Sequence, residues 1–163
     1  MAVVYLGVGS NLGDRRANIE RALALLGEHE EIEVEALSSL IETEPVGGPP
    51  QGAYLNAAAR VHTDLLPLEL LSQLKIVERR LGRVKTEEPN SPRPLDLDIL
   101  FYDDVVIVEG KSLTVPHPRL AERAFVLEPL VELAPELVHP RLGLTVRQLL
   151  ERLRSDAPGP RSS

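Results

Sequence analysis

Stretches of strand period and of helical period follow one another in the order β-α-β-β-α-β over the first two thirds of the chain, and few folds accept that order. "AVVYLGVGS" (2–10) is apolar on both alternating sets, as suits a strand in the middle of a sheet. In "RRANIERALALLGEH" a helical spacing links Leu12, Ile19, Leu23 and Leu26, with Asn11 or Asp14 placed to start the helix and Gly27 to stop it. "EIEVEALSSLIETEP" sets Ile32, Val34 and Ala36 against glutamates, a strand with one wet face, and loses phase near Leu37, where a bulge is expected. "YLNAAARVHT" puts Leu55, Ala57, Ala59 and Val61 on one side and Tyr54, Asn56, Ala58 and Arg60 on the other. The helical period returns through Leu70, Leu71, Leu74, Val77 and Leu81, from Pro67 to a stop at Gly82. The loop "VKTEEPNSPRP" leads into the strand "LDLDILFY", and Asp103-Asp104 turns the chain toward "VVIV".

This pattern predicts an α+β fold of ferredoxin-like type: a split βαβ core whose antiparallel sheet carries two helices on one face. An added strand follows, and "AERAFVLEPLVELAPEL" and "TVRQLLERL" are expected as C-terminal helices. Residues 1–154 should form one domain and 155–163 a flexible tail, because 163 residues suffice for a single core. The opening residues read as a strand rather than a signal peptide, and no apolar run reaches the roughly 18 residues of a membrane span. A cytoplasmic protein with no membrane partner is expected. The absence of cysteine excludes a disulfide scaffold, a thiol nucleophile and a Cys-based zinc site. A net charge of -7 speaks against a nucleic-acid partner. A monomer is expected, with a dimer left open.

Asp96 and Asp98 interrupt the apolar run "SPRPLDLDIL". Side chains at i and i+2 of a strand share a face roughly 7 Å apart, so the carboxylates face one way and Leu95, Leu97 and Ile99 the other. On spacing alone, a strand with its acidic side in water explains this as well as a functional pair does. Two carboxylates so placed repel unless a cation lies between them, and their oxygens suit magnesium carrying a nucleotide's phosphates. Arg93, just upstream, favours the phosphate reading. Arg79 and Arg80 need be no more than cations at a helix end. Arg83 and Lys85 lie past Gly82, in a loop that leads to the aspartates, and a basic loop beside paired carboxylates is what phosphoryl transfer requires. "GVGSNLGD" has neither the spacing of a dinucleotide fingerprint nor a Walker A sequence. Gly9 and Ser10 are read instead as letting the backbone come close to something at the end of the first strand. His117, between prolines in "LTVPHPRL", reads as structural more readily than catalytic, and His29, His62 and His139 show no partner spacing.

"GSNLGD", "ETEPVG", "YLNAA", "ERRLGRVK", "PRPLDLDIL", "LTVPHPRL" and "RAFVLEPL" resemble, in order and spacing and along nearly the whole chain, the 6-hydroxymethyl-7,8-dihydropterin pyrophosphokinase family of folate biosynthesis. The resemblance implies an enzyme that moves pyrophosphate from ATP to the hydroxymethyl group of the pterin and releases AMP. Its partners would be these two small molecules. It also implies that Asp96 and Asp98 hold two Mg2+ ions bridging the ATP phosphates, while Arg83 and Arg93 neutralise charge on the transferred group. Lys75, Glu78, Arg83, Lys85, Arg93, Ile99, Leu113, Thr114, His117 and Arg123 match the family's ATP site. Thr43, Val46, Tyr54, Asn56, Asp96 and Phe125 match its pterin pocket. Composition agrees with that pocket: Tyr54 and Phe125 belong to a set of only 3 tyrosines and 2 phenylalanines, and a flat pterin takes a ring on each side. The Asn56 amide both donates and accepts, as an amide-like pterin edge requires.

The chain departs from common family residues at Lys75, Lys85, Asn90, Ser91, Ser112 and Pro118. A lysine in place of arginine keeps the charge and loses the bidentate geometry. Two other classes compete. A polymerase β-like nucleotidyltransferase also uses Gly-Ser and a D-x-D pair, but close together, whereas Ser10 and Asp96 lie most of a domain apart. A non-catalytic ferredoxin-like ligand-binding module would show no metal dependence.

Overall fold

The protein is described by a computed structural model over residues 1–43, 52–82 and 94–156. β1 (Ala2–Ser10) leads through α1 (Arg15–Gly27) to β2 (Ile32–Leu37), and β3 (Ile41–Thr43) and β4 (Tyr54–Thr63) lead through α2 (Pro67–Arg80) to β5 (Asp96–Tyr102). The sheet runs β2-β4-β1-β5 with every pairing antiparallel, and β3 pairs with the part of β4 that β2 does not reach. Leaving the short β3 aside, this is the strand order of a split βαβ core. β6 (Ile107–Glu109) and β7 (Leu113–Val115) form a two-stranded sheet of their own, so the added strand expected after the core does not extend the main sheet. A 3-10 turn (Leu120–Glu122), α3 (Ala124–Leu133) and α4 (Val146–Asp156) follow. Ser155 and Asp156, expected in the tail, belong to α4; residues 157–163 lie outside the described residues. Among the described residues no helix is long and apolar enough to cross a membrane.

Local chemistry sets the element ends. Of the two candidates for starting α1 it is Asp14 that caps, its carboxylate accepting from Ala17 N at 3.1 Å. Leu12 precedes this helix and is exposed, so it is not part of the buried stripe of Ile19, Ala22 and Leu26. Pro67 occupies the first turn of α2, the Glu69 side chain accepts from Leu66 N at 2.8 Å, and Gly82 at φ +95° supplies the left-handed turn that follows the helix. Thr145 and Gln148 form a reciprocal capping box ahead of α4, with bonds of 2.9 and 3.1 Å.

The run "EIEVEALSSLIETEP", read as one strand, holds two strands within its described residues. Ser38 accepts from Ala58 N with its hydroxyl at 2.9 Å and donates its own N–H to Ala58 O, replacing one ladder bond with a side-chain bond. Ser39 then turns toward α3, where its N–H and hydroxyl both donate to the Glu132 carboxylate. The bulge expected near Leu37 falls at Glu35, where the register shifts between Val34 and Ala36. Freed from the ladder, the Glu35 carboxylate accepts from His62 Nε2 and Arg60 Nε, each at 2.8 Å, and these two partners, His62 first, hold it below the usual carboxylate range.

Each face of the sheet has its own core. On one, Leu6, Val8, Ala59, Val61, Leu97 and Ile99 pack with Ile19, Leu26, Leu70 and Leu74 of α1 and α2. On the other, Tyr5, Ala58, Leu100 and Phe101 pack with Leu120, Leu127, Leu130 and Leu149 of the C-terminal segments. A second bulge lies in β5, between the pairs Tyr5–Phe101 and Leu6–Ile99, so that Leu100 is the extra residue and Phe101 joins it on the C-terminal face. Tyr102 then points the other way, its hydroxyl donating to Leu65 O at 2.6 Å.

Phe101 meets His139 edge to face at 5.7 Å between ring centres. His139 is 6% exposed, its Nδ1 accepts from Arg141 N and Leu142 N, and burial, then Arg141, push its pKa below the ordinary value. The folded protein therefore takes up this proton at lower pH than the unfolded chain. Stability from His139 is complete above about pH 6.5, the unfolded value, and is lost as pH falls below it. His139→Asn keeps an acceptor in place of Nδ1 and removes the titration. Thermal melts between about pH 7.5 and 5.5 should then show a smaller loss of Tm for the variant than for the wild type; equal losses would rule the assignment out.

Candidate functional site

The face covered by the C-terminal segments is not covered to its end. Along β1 it presents Val3 and Tyr5 under α3 and α4, then Gly7 and Gly9. Gly7 pairs with Ala58 on one side and Asp98 on the other, and Gly9 pairs with Asn56 and Asp96. Two strand positions without side chains thus lie between the amide-bearing strand and the acidic one. Above them is a cleft of about 740 Å³, walled by β4, β5, β7 and the start of α3, a volume suited to small-molecule ligands.

Every described residue that the resemblance assigned to a ligand or metal lines this one cleft: Thr43, Tyr54, Asn56, Lys75, Glu78, Asp96, Asp98, Ile99, Leu113, Thr114, His117, Arg123 and Phe125. Val46, Arg83, Lys85, Arg93, Asn90 and Ser91 lie outside the described residues. The Asn56 amide donates to the Thr43 hydroxyl across the β3–β4 pair. The Arg123 guanidinium lies over the Phe125 ring at 5.6 Å. Ser10, read together with Gly9, is fully buried, and its hydroxyl faces the Asn18 amide of α1 at 3.4 Å.

His117 is tied down more firmly than a residue between two prolines promised. Its N–H donates to Leu100 O, the bulge residue of β5, at 3.0 Å, and its Nδ1 accepts from Arg119 N at 3.2 Å. With Nδ1 acting as acceptor, the neutral ring carries its hydrogen on Nε2. Burial, then Arg123 and Arg119, lower its pKa against the opposing pull of Asp96. The ring is thereby kept a neutral donor.

Sequence reasoning missed two kinds of residue and gave a third no physical reason. Lys111, Arg119 and Glu122 also line the cleft, and nothing in their local pattern separates them from surface charges. Glu78 was assigned by resemblance alone, yet it is 5% exposed and accepts from Leu97 N, between the two aspartates, at 2.7 Å. Gly7 left a readable signal: G-x-G and D-x-D share one two-residue period, and the antiparallel register sets the pairs against each other.

Among the described lining residues, Lys75, Lys111, Arg119 and Arg123 are matched by Glu78, Glu122, Asp96 and Asp98. A cleft so balanced has no surplus positive charge for a polyphosphate, and cations must be added from elsewhere. The donor set fits magnesium. Asp96 and Asp98 offer hard carboxylate oxygens on one face, and among the described residues no group of three or more His, Asp or Glu side chains closes a metal cage. Magnesium bound by one or two carboxylates takes its remaining ligands from phosphate and water.

The split βαβ fold hosts many unrelated activities, so the class is read from the site. Two carboxylates suited to magnesium and phosphate in a small-molecule cleft are those of a group transferase, and the chain is of that class. It belongs to the 7,8-dihydro-6-hydroxymethylpterin-pyrophosphokinase family, whose profile matches residues 5–135. The 2-amino-4-hydroxy-6-hydroxymethyldihydropteridine pyrophosphokinase of Aquifex aeolicus is 45% identical over 140 residues, covering 86% of this chain and 85% of its own. The Bacillus subtilis protein of the same name is 43% identical, covering 83% and 80%. The folic acid synthesis protein fol1 of Schizosaccharomyces pombe is 41% identical over 94% of this chain, which spans only 21% of that longer protein. In fold, the chain is similar to the crystal structure of Plasmodium falciparum HPPK-DHPS wild type with pteroate, at a TM-score of 0.73 and 18% identity over 94% of this chain and 42% of that one.

Proposed function

We propose that this chain transfers pyrophosphate from ATP to the hydroxymethyl group of 6-hydroxymethyl-7,8-dihydropterin, giving AMP and the pterin diphosphate for folate synthesis. One observation carries the reading: the described residues matched to the nucleotide and those matched to the pterin line the same cleft, together with the carboxylates of Asp96 and Asp98. A nucleotidyltransferase needs no amide-and-aromatic wall, and a non-catalytic module needs no acidic pair.

In the reaction the hydroxymethyl oxygen attacks the β-phosphorus, the bond from that phosphorus to the oxygen bridging the α-phosphate breaks, AMP leaves with that oxygen, and the hydroxyl proton is released. Asp96 and Asp98 would hold two Mg2+ ions, which when bound supply charge neutralisation for the phosphates. Asn56, braced by Thr43, reads the amide edge of the pterin, and the Tyr54 and Phe125 rings enclose its faces. His117 donates from Nε2 to a nucleotide oxygen without adding charge. Lys75, Glu78, Ile99, Leu113, Thr114 and Arg123 complete the nucleotide side; by family match Arg83, Lys85 and Arg93 are assigned the cations that the balanced cleft lacks, and Val46 is assigned to the pterin. Residues 1–154 act as the catalytic unit, in the cytoplasm and as a monomer; the cysteine-free composition accords with a reducing compartment.

Incubation with ATP labelled at the γ-phosphate, the pterin and Mg2+ should give AMP and a labelled pterin product. Release of inorganic pyrophosphate would establish nucleotidyl transfer instead. Turnover should vanish when the metal is chelated and return when Mg2+ is restored; turnover indifferent to metal would remove the assignment of Asp96 and Asp98.

A further inference from the structure

Gly9 has an ordinary strand backbone rather than a left-handed one, so its conformation does not require glycine. The space does. A methyl group there would sit 2.9 Å from Asn56 Oδ1 and 3.6 Å from Tyr54 Cδ1. The first distance is well inside the roughly 3.3 Å at which carbon and oxygen meet without strain. At Gly7, two residues back on the same face, the three atoms nearest a methyl group would all belong to the Leu100 side chain, the first at 3.4 Å. The restriction is thus local to the position flanked by Asn56 and Asp96.

We propose that Gly9 determines specificity in the pterin subsite: its missing side chain lets Asn56 lie across β1 and leaves a bare floor between Asn56 and Asp96 for the heterocycle to cross. Asn56 and Asp96 stand on the strands either side of β1, roughly 10 Å apart at the backbone, a span that a fused two-ring heterocycle bearing a short arm bridges. A side chain at Gly9 lifts the amide off β1 and away from the Thr43 hydroxyl that it now bonds. Against the Tyr54 ring, at 3.6 Å, it makes an ordinary van der Waals contact. The amide edge of the ligand is then read from the wrong height, while the nucleotide side is untouched.

This inference rests on the proposed pterin substrate, and its test separates the two. Pterin binding is titrated calorimetrically with Mg2+ and a non-hydrolysable ATP analogue present. If the wild type binds no pterin, the proposed function fails. With the wild type binding, Gly9→Ala should weaken pterin affinity by about tenfold or more and leave affinity for the analogue within about twofold. Its melting temperature should fall by no more than about 4 °C, since only the Asn56 side chain and its one hydrogen bond have to give way. In an Asn56→Ser background, where no amide remains to be displaced, adding Gly9→Ala should weaken binding by less than about twofold further. Unchanged pterin affinity in Gly9→Ala overturns the proposal, and so does an equal loss in both backgrounds. Should Gly9→Ala fail to fold, the double variant decides: it should fold and bind as Asn56→Ser does, and if it too unfolds Gly9 is a packing position only.

Discussion

Asp96→Ala and Asp98→Ala are each expected to lower turnover by at least about a hundredfold while the protein stays folded. The two side chains share one face of β5 roughly 7 Å apart. At that distance two negative charges repel by about 0.6 kcal/mol in water and about 2.4 kcal/mol at a partly buried site. Removing either relieves this repulsion and forfeits the contacts that each carboxylate makes, so the net change in stability should lie within about 1 kcal/mol. Kinetics paired with thermal melts make the check. A variant that unfolds identifies a structural carboxylate, and one that keeps its turnover removes the metal role. Asp96→Asn and Asp98→Asn sharpen the result, because they keep the shape and lose the charge.

Glu78→Ala should damage stability and catalysis together. Glu78 projects from α2 into the edge of the core and accepts from Leu97 N at 2.7 Å. Without it, a buried N–H loses its acceptor, at a cost of about 1–3 kcal/mol, which for a chain of this length lowers Tm by roughly 2–12 °C. Leu97 carries the backbone between Asp96 and Asp98, so its displacement also moves the acidic pair. Glu78→Gln keeps an acceptor and should lose less on both counts. A Glu78→Ala protein with unchanged Tm would show that the bond to Leu97 contributes nothing to the fold.

The outline of the fold was legible because patterning and caps agree. Leu55, Ala57, Ala59 and Val61 alternate cleanly in β4, and Asp14, Pro67 and Gly82 mark helix ends by their own chemistry. The break at Ser38 was less so, because it depends on a hydroxyl finding Ala58 N on a strand twenty residues away. The bulge at Leu100 was not legible, since in "DILFY" every residue after the aspartate is apolar enough for either face. In the site, Asp96 and Asp98 stood out because charge in an apolar run is costly unless used. Lys111 and Arg119 did not, because only the packing of the segment from β7 to the 3-10 turn brings them to the cleft.

The extra residue in β5 gives one strand two independent phases. Ahead of Leu100, the phase is set by the acidic pair lying opposite Gly7 and Gly9; beyond it, the phase is set by Phe101 packing beneath the C-terminal helices. A shift of register in a regular strand would turn every side chain over at once. Here the slack at Leu100 lets the C-terminal layer be lengthened, repacked or joined to another domain while the aspartates keep their facing, so the strand works as a mechanical joint between a fixed site and a revisable cover.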